Sequence, residues 1–168
     1  MGVNDQKIRS LKIKSLGGIH PAADSVQRVT QETGVELPSE YLQVVLEYGC
    51  WYTPLGYTRF RFKHPVQGRE DGILNVFFGI MPGHSYDVAK NFKTYRGRVR
   101  SGLLPIANDP GGNIICLSTS GGDRGSVYLW DHEQETPGRV PSDANLYLIA
   151  DSFEDFINRL EFEQLEDE

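Results

Sequence analysis

The densest grouping of side chains able to do chemistry is Asp131-His132-Glu133, with two more carboxylates, Asp109 and Asp123, in turns that precede it. Two carboxylates and an imidazole suit a divalent metal or a proton relay, since His titrates in the useful range. On a strand, however, adjacent side chains point to opposite faces, so Asp131 and Glu133 would share a side and His132 would face away. A polar strand end leading into a loop explains the three residues with fewer demands. His84 and Ser85 in MPGHSYD lack the strand-to-helix elbow and the orienting acid of a serine hydrolase; a polar helix start accounts for Ser85. His64 precedes Pro65, and His20, just before Pro21, reads as a helix-entry residue. The glycines of ANDPGGN and TSGGDRGS lie between β-like runs, without the Lys-Ser or Lys-Thr pair of a Walker loop or the helix of a dinucleotide fingerprint. They read as turns. No catalytic residue, metal ligand or cofactor is assigned.

Charge narrows the partners. Asp and Glu number 23 against 17 Lys and Arg, a net charge of -6, so the mean field repels nucleic acid and anionic membrane. Two local basic groups run against that trend: Arg59, Arg61 and Lys63, and Lys93, Arg96, Arg98 and Arg100 around Tyr95. Neither lies in a motif that reads bases, and charged alternation is what a solvated sheet face needs. The two cysteines, Cys50 and Cys116, sit among apolar residues at a spacing unlike a redox or zinc pair, and read as buried thiols. The N-terminal residues lack the apolar core of a signal peptide, no apolar run is long enough for a membrane span, and Gln6 stands where a myristoylation motif wants Ser or Thr. A cytoplasmic location is expected. Trp51, Tyr52, Trp130, Asp131 and Glu133 combine aromatic surface with charge and are the candidate protein-binding residues, with burial the competing account of the aromatics.

The elements that must position these residues follow from periodicity. A chain of 168 residues suits one domain, here expected over residues 1–168, with an irregular arm over about 1–20 and a frayed acidic tail over about 163–168. Pro21 opens a helix ending near Thr33 and Gly34, and Pro38 or Ser39 opens a second with Tyr41, Leu42, Val45 and Leu46 as its apolar stripe and Gly49 as its stop. In GYTRFRFKHP the period becomes two, with Thr58, Phe60 and Phe62 alternating against Tyr57, Arg59, Arg61 and Lys63. Residues 73–78 read as a further strand and SYDVAKNFKTYRG as a helix carrying Val88 and Phe92. Residues 103–107, NIICLST and SVYLWD follow as core strands joined by short glycine-rich links, which favour antiparallel pairing. ADSFEDFINRLEFE closes the chain as a helix, with Ser152 and Asp155 as a capping box and Phe153, Phe156, Ile157 and Leu160 as its stripe. The expected fold class is α+β: a central, mainly antiparallel sheet flanked by N-terminal helices and a C-terminal helix.

Three segments taken together resemble the SUKH superfamily, in the branch of bacterial proteins related to the fungal Smi/Knr cell-wall regulators. They are ELPSEYLQVVLEYGCW, LLPIANDPGGNIICL and GSVYLWDHE, within a resemblance spanning about residues 22–160. Its signature falls on Leu37, Pro38 and Tyr41, on Pro105, Ile106 and Ala107, on Asp109, Gly111, Gly112 and Asn113, and on Val127, Tyr128, Trp130, Asp131, His132 and Glu133. The chain departs at Cys50-Trp51, where many members are rich in asparagine and glycine. The resemblance implies an α+β fold and, in bacteria, frequent service as a non-enzymatic immunity protein that binds and neutralises a cognate toxin, in many cases a nuclease. A basic nuclease domain would suit the acidic balance of this chain. A regulatory scaffold, and a hydrolase or metal enzyme using Asp131, His132 and Glu133, are the alternative readings.

Overall fold

In a computed structural model, residues 5–135, 138 and 141–166 are described. The expected arm is instead structured. Helix α1 (Asp5–Ser10) buries Ile8, the next residue Leu11 is fully buried, and β1 (Lys14–Gly17) pairs antiparallel with β2 (Cys50–Tyr52). Ile8 and Leu11 stand three apart, the spacing that puts two side chains on one side of a helical turn. Residues 1–4 lie outside the described residues.

Helix α2 (Ala23–Thr33) starts two residues after Pro21 and ends at Gly34, whose N–H bonds to the Thr30 carbonyl. Helix α3 (Ser39–Tyr48) follows Pro38; Tyr41, Val44 and Val45 are its buried residues, while Leu42 and Leu46 of the expected stripe are only half-buried. Gly49 ends it at φ 66°, and a Cβ there would lie 2.2 Å from the Gly17 carbonyl oxygen, so glycine is what lets β1 pass so close.

The chain then builds two sheets. Strand β3 (Gly56–Val66) alternates as its period requires, burying Thr58, Phe60 and Phe62. It is the middle strand of a three-stranded sheet, between β4 (Arg69–Leu74) and β10 (Leu160–Gln164). The strand expected over residues 73–78 is divided. After Leu74 the chain leaves this sheet, Asn75 and Val76 both donate backbone N–H groups to Asn108, and β5 (Val76–Phe77) joins the other sheet. That larger, antiparallel sheet has the order β1-β2-β5-β6-β7-β8-β9, with β6 (Leu103–Asn108), β7 (Ile114–Ser118), β8 (Val127–Trp130) and β9 (Leu146–Ala150). The α+β class holds.

Helix α4 (Val88–Tyr95) lies between β5 and β6, and α5 (Phe153–Asn158) between β9 and β10. Ser152 caps α5 by accepting from the Asp155 N–H at 3.0 Å, the serine half of the expected capping box, while the Asp155 carboxylate accepts from Arg159 Nε at 3.0 Å. The helix stops at Arg159, though, and LEFEQ runs on as β10 against β3, so Leu160 is buried from a strand and the expected tail is ordered at Glu163 and Gln164. Residues 167 and 168 lie outside the described residues.

Between the sheets lies the main core. Trp51 stacks on Phe77 with ring centroids 5.0 Å apart, Tyr41 meets Phe77 at 5.5 Å and the edge of Phe153 at 6.0 Å, and Phe60 meets Phe156 at 6.3 Å. These contacts join α3, α5 and both sheets. A second, smaller core of Val99, Leu103, Ile114, Cys116 and Trp130 lies apart from the first. Residues 103–107 of β6 and 114–118 of β7 are therefore buried in succession, which is why both strands open with unbroken apolar runs. Replacing Leu11 by Ala is expected to lower unfolding free energy by about 2–5 kcal/mol in urea titrations, the cost of a core cavity; a loose arm would give a change within about 0.5 kcal/mol.

Candidate functional site

Where β6 turns into β7, the signature residues close a set of hydrogen bonds. Asp109 accepts from the backbone N–H of Asn113 at 2.7 Å and from its side-chain Nδ2 at 2.9 Å. That fixes the amide, leaving Asn113 Oδ1 to accept from the backbone N–H of His132 at 3.1 Å and to lie 2.8 Å from His132 Nδ1. An amide oxygen has no proton to give, so Nδ1 carries it. The result ties the β6–β7 turn to the chain leaving β8. Gly112 stands at φ 91°, and a Cβ there would sit 3.4 Å from the His132 ring, so the imidazole packs where a side chain is missing.

Asp131, His132 and Glu133 do not converge. Beyond Trp130 the chain enters a 3-10 turn (His132–Gln134), and Asp131, the residue before it, caps it by accepting from the Glu133 N–H at 3.0 Å. The Asp131 backbone is held from the other side, with its N–H on the Asn145 carbonyl and its carbonyl on Asn145 Nδ2. Glu133 is exposed. Among the described residues no group of three or more His, Cys, Asp or Glu could hold a metal ion.

Asp123 belongs elsewhere. It follows β7 while Asp109 precedes it, so the two carboxylates lie at opposite ends of that strand. Asp123 accepts from Tyr128 Oη at 2.6 Å, from Arg100 Nη2 at 2.5 Å and from Ser118 Oγ at 3.0 Å. The Tyr128 hydroxyl, followed by Arg100 and Ser118, holds its carboxyl at about 2 against the partial desolvation that opposes them. Arg100 also reaches Asp143 at 3.2 Å and lies over the Tyr128 ring.

Both tryptophans offered as contact residues are core. Trp51 is fully buried, and Trp130 is buried beneath Tyr95, whose ring meets it edge-on at 5.7 Å. Arg98 lies over both rings and pairs with Glu135 through two bonds, at 2.9 and 2.8 Å, holding that carboxyl below its usual range. Of the five candidate contact residues, Tyr52 and Asp131 are half-buried and Glu133 alone is exposed. Burial of two large aromatics depends on which elements cover them, and no local pattern encodes that.

Tyr41 donates its hydroxyl to the Phe78 carbonyl at 2.8 Å, and burial pushes that hydroxyl well above its ordinary value. Leu37 is buried, Pro38 precedes α3, and Pro105 lies on β6 where the pairing with β7 shifts register. Cys50 and Cys116 are buried free thiols, with burial pushing Cys50 up to about 12 and Cys116 further. His84 and Ser85 are exposed in the turn before α4. The helix start assigned to Ser85 belongs to Asp87, which caps α4 through the Lys90 N–H, accepts from the Met81 N–H, and takes a two-pronged contact from Arg28 of α2. Asp ahead of VAKN is a capping signal that was there to be read.

With this arrangement in view, comparison with known proteins is direct: the profile of the SMI1 / KNR4 family (SUKH-1) matches residues 20–159. The chain belongs to this family. A curated relative, described as an SPbeta prophage-derived uncharacterized protein, YokK, of Bacillus subtilis (strain 168), is 28% identical over 177 residues, covering 96% of this chain and 86% of that protein. In this SUKH-1 chain the polar residues at 109–113 and 131–133 stand around one hairpin, with Asn113 bonded to Asp109 on one side and to His132 on the other. Among the described residues, no helix is long and apolar enough to cross a membrane.

Replacing Asp123 by Asn tests the second polar cluster. A carboxyl depressed in the folded state contributes stability that is complete above its ordinary 3.8 and is lost as pH falls through about 2. The variant should therefore be less stable than wild type at neutral pH, in denaturant titrations, with the gap closing over that acid window. A gap independent of pH would contradict the assignment.

Proposed function

We propose that this SUKH-1 chain is a cytoplasmic immunity protein that neutralises a cognate toxin by binding and masking it, performing no reaction of its own. One observation carries the reading: the signature polar groups of an immunity-type family are, in this chain, engaged in holding a hairpin together. A nucleophile or proton carrier has to meet its substrate, whereas here Asp109, Asn113 and the Nδ1 of His132 meet each other. Inhibition by such a protein is steric or allosteric, and its contacts lie on exposed residues around the signature, Glu133 among them.

The net charge of -6 supports a basic partner, a nuclease domain being the matching class, because opposite potentials speed encounter and disfavour wrong partners. The test is to search the neighbouring genes for one that encodes a toxic C-terminal domain and to co-express that domain with this chain, scored by survival and by isolation of a complex. Survival together with a complex at protein concentrations of about 1 μM is expected. The absence of both rescue and a complex would overturn the pairing.

A further inference from the structure

A cleft of about 930 Å³ opens beside the smaller core, between the α2–α3 connection, the segment that follows α4 and the β7–β8 loop. Its floor is apolar: Val99 and Leu103 are buried there and Phe92 is half-buried. Its walls are fixed to each other, because the Gly102 carbonyl accepts from both the backbone N–H of Thr119, at 2.8 Å, and its hydroxyl, at 2.7 Å.

Three arginines line it, and their states differ. Arg100 is held by Asp123 and Asp143. Arg96 and Arg124 are exposed and have no charged or hydrogen-bonded side-chain partner among the described residues. Against these two stands one unpaired lining carboxylate, Glu36. A molecule of net charge -6 therefore keeps a small cationic recess, with free guanidinium groups above an apolar floor.

We propose that this cleft binds a short acidic segment of a partner protein, with Arg96 and Arg124 taking its carboxylates and the Val99–Leu103 floor taking a neighbouring apolar side chain. The inference rests on the protein-binding reading above and adds the chemistry of one contact. Guanidinium forks match carboxylates in geometry as well as charge. A nucleic acid strand is the poorer occupant: its charge runs on beyond the two free arginines onto a molecule of net charge -6, whereas a short segment confines its carboxylates to the recess.

The probe is the peptide Glu-Leu-Asp-Phe-Glu, capped at both ends and titrated into the ¹⁵N-labelled full chain, with a short single-stranded RNA titrated separately. Saturable shifts are expected at the amides of Gly97, Gly102 and Thr119, with an affinity of about 1 mM that weakens as salt screens the contact. The double variant Arg96→Gln/Arg124→Gln, at two exposed sites, should weaken binding about tenfold, and Arg61→Gln/Arg69→Gln, an equal loss of two charges at exposed sites on β3 and β4, by less than about twofold. No saturable shift, equal binding by the double variant, or RNA bound more tightly than peptide would overturn the proposal. A flat titration removes the cleft alone, while toxin rescue is decided by survival.

Discussion

The β6–β7 hairpin leaves the core through half-buried Asn108, Asp109 and Asn113 and turns at exposed Pro110, Gly111 and Gly112, so the backbone groups at its half-buried ends need partners that the paired strands do not supply. The β6–β7 connection meets that demand with side chains. Asp109 takes the N–H that would otherwise be orphaned at Asn113, and the Asn113 amide carries the connection across to the end of β8. Three consecutive core strands are thereby held in register at one end by a single amide whose orientation is set by a carboxylate. The residues that look most chemical in the sequence are the ones this constraint uses.

The other end of the same strands is held differently, by charge. Arg100, Asp123, Tyr128 and Asp143 link the chain before β6 to the β7–β8 loop and to the segment before β9. Between these ends the sheet is apolar on both faces, so it needs two covers. α3, α5 and the three-stranded sheet supply one, through Tyr41, Phe153, Phe156 and Phe60. Tyr95, Arg98 and Val99, at the end of α4 and just beyond, supply the other above Trp130. Both tryptophans are buried in these two cores, Trp51 in the larger and Trp130 in the smaller.

The parts legible in the sequence are those whose signals are local. The two-residue alternation of β3, the apolar runs of β6 and β7 with glycines between them, and the Pro38 and Gly49 ends of α3 all place their elements. What was misread depends on partners far along the chain. Residues 5–17 become ordered only because α5, β10 and β2 receive them, and β9 is paired with β8 across the long 131–145 connection. β10 is intermediate: Ser152 correctly marks the start of α5, but no glycine or proline marks its end, and the alternation in LEFEQ was absorbed into a helix. The signature residues were located from sequence; that Asp109 joins Asn113 and His132, while Asp123 joins Arg100 and Tyr128, needed the strand register.

The claim that the signature is a structural clasp is tested most directly by a double-mutant cycle on Asn113→Ala and His132→Ala, read as unfolding free energy in urea. A half-buried amide–imidazole hydrogen bond that holds the hairpin predicts a coupling of about 1 kcal/mol between the two sites. Additive losses, within about 0.3 kcal/mol, would contradict the clasp and return His132 to the free groups available for chemistry.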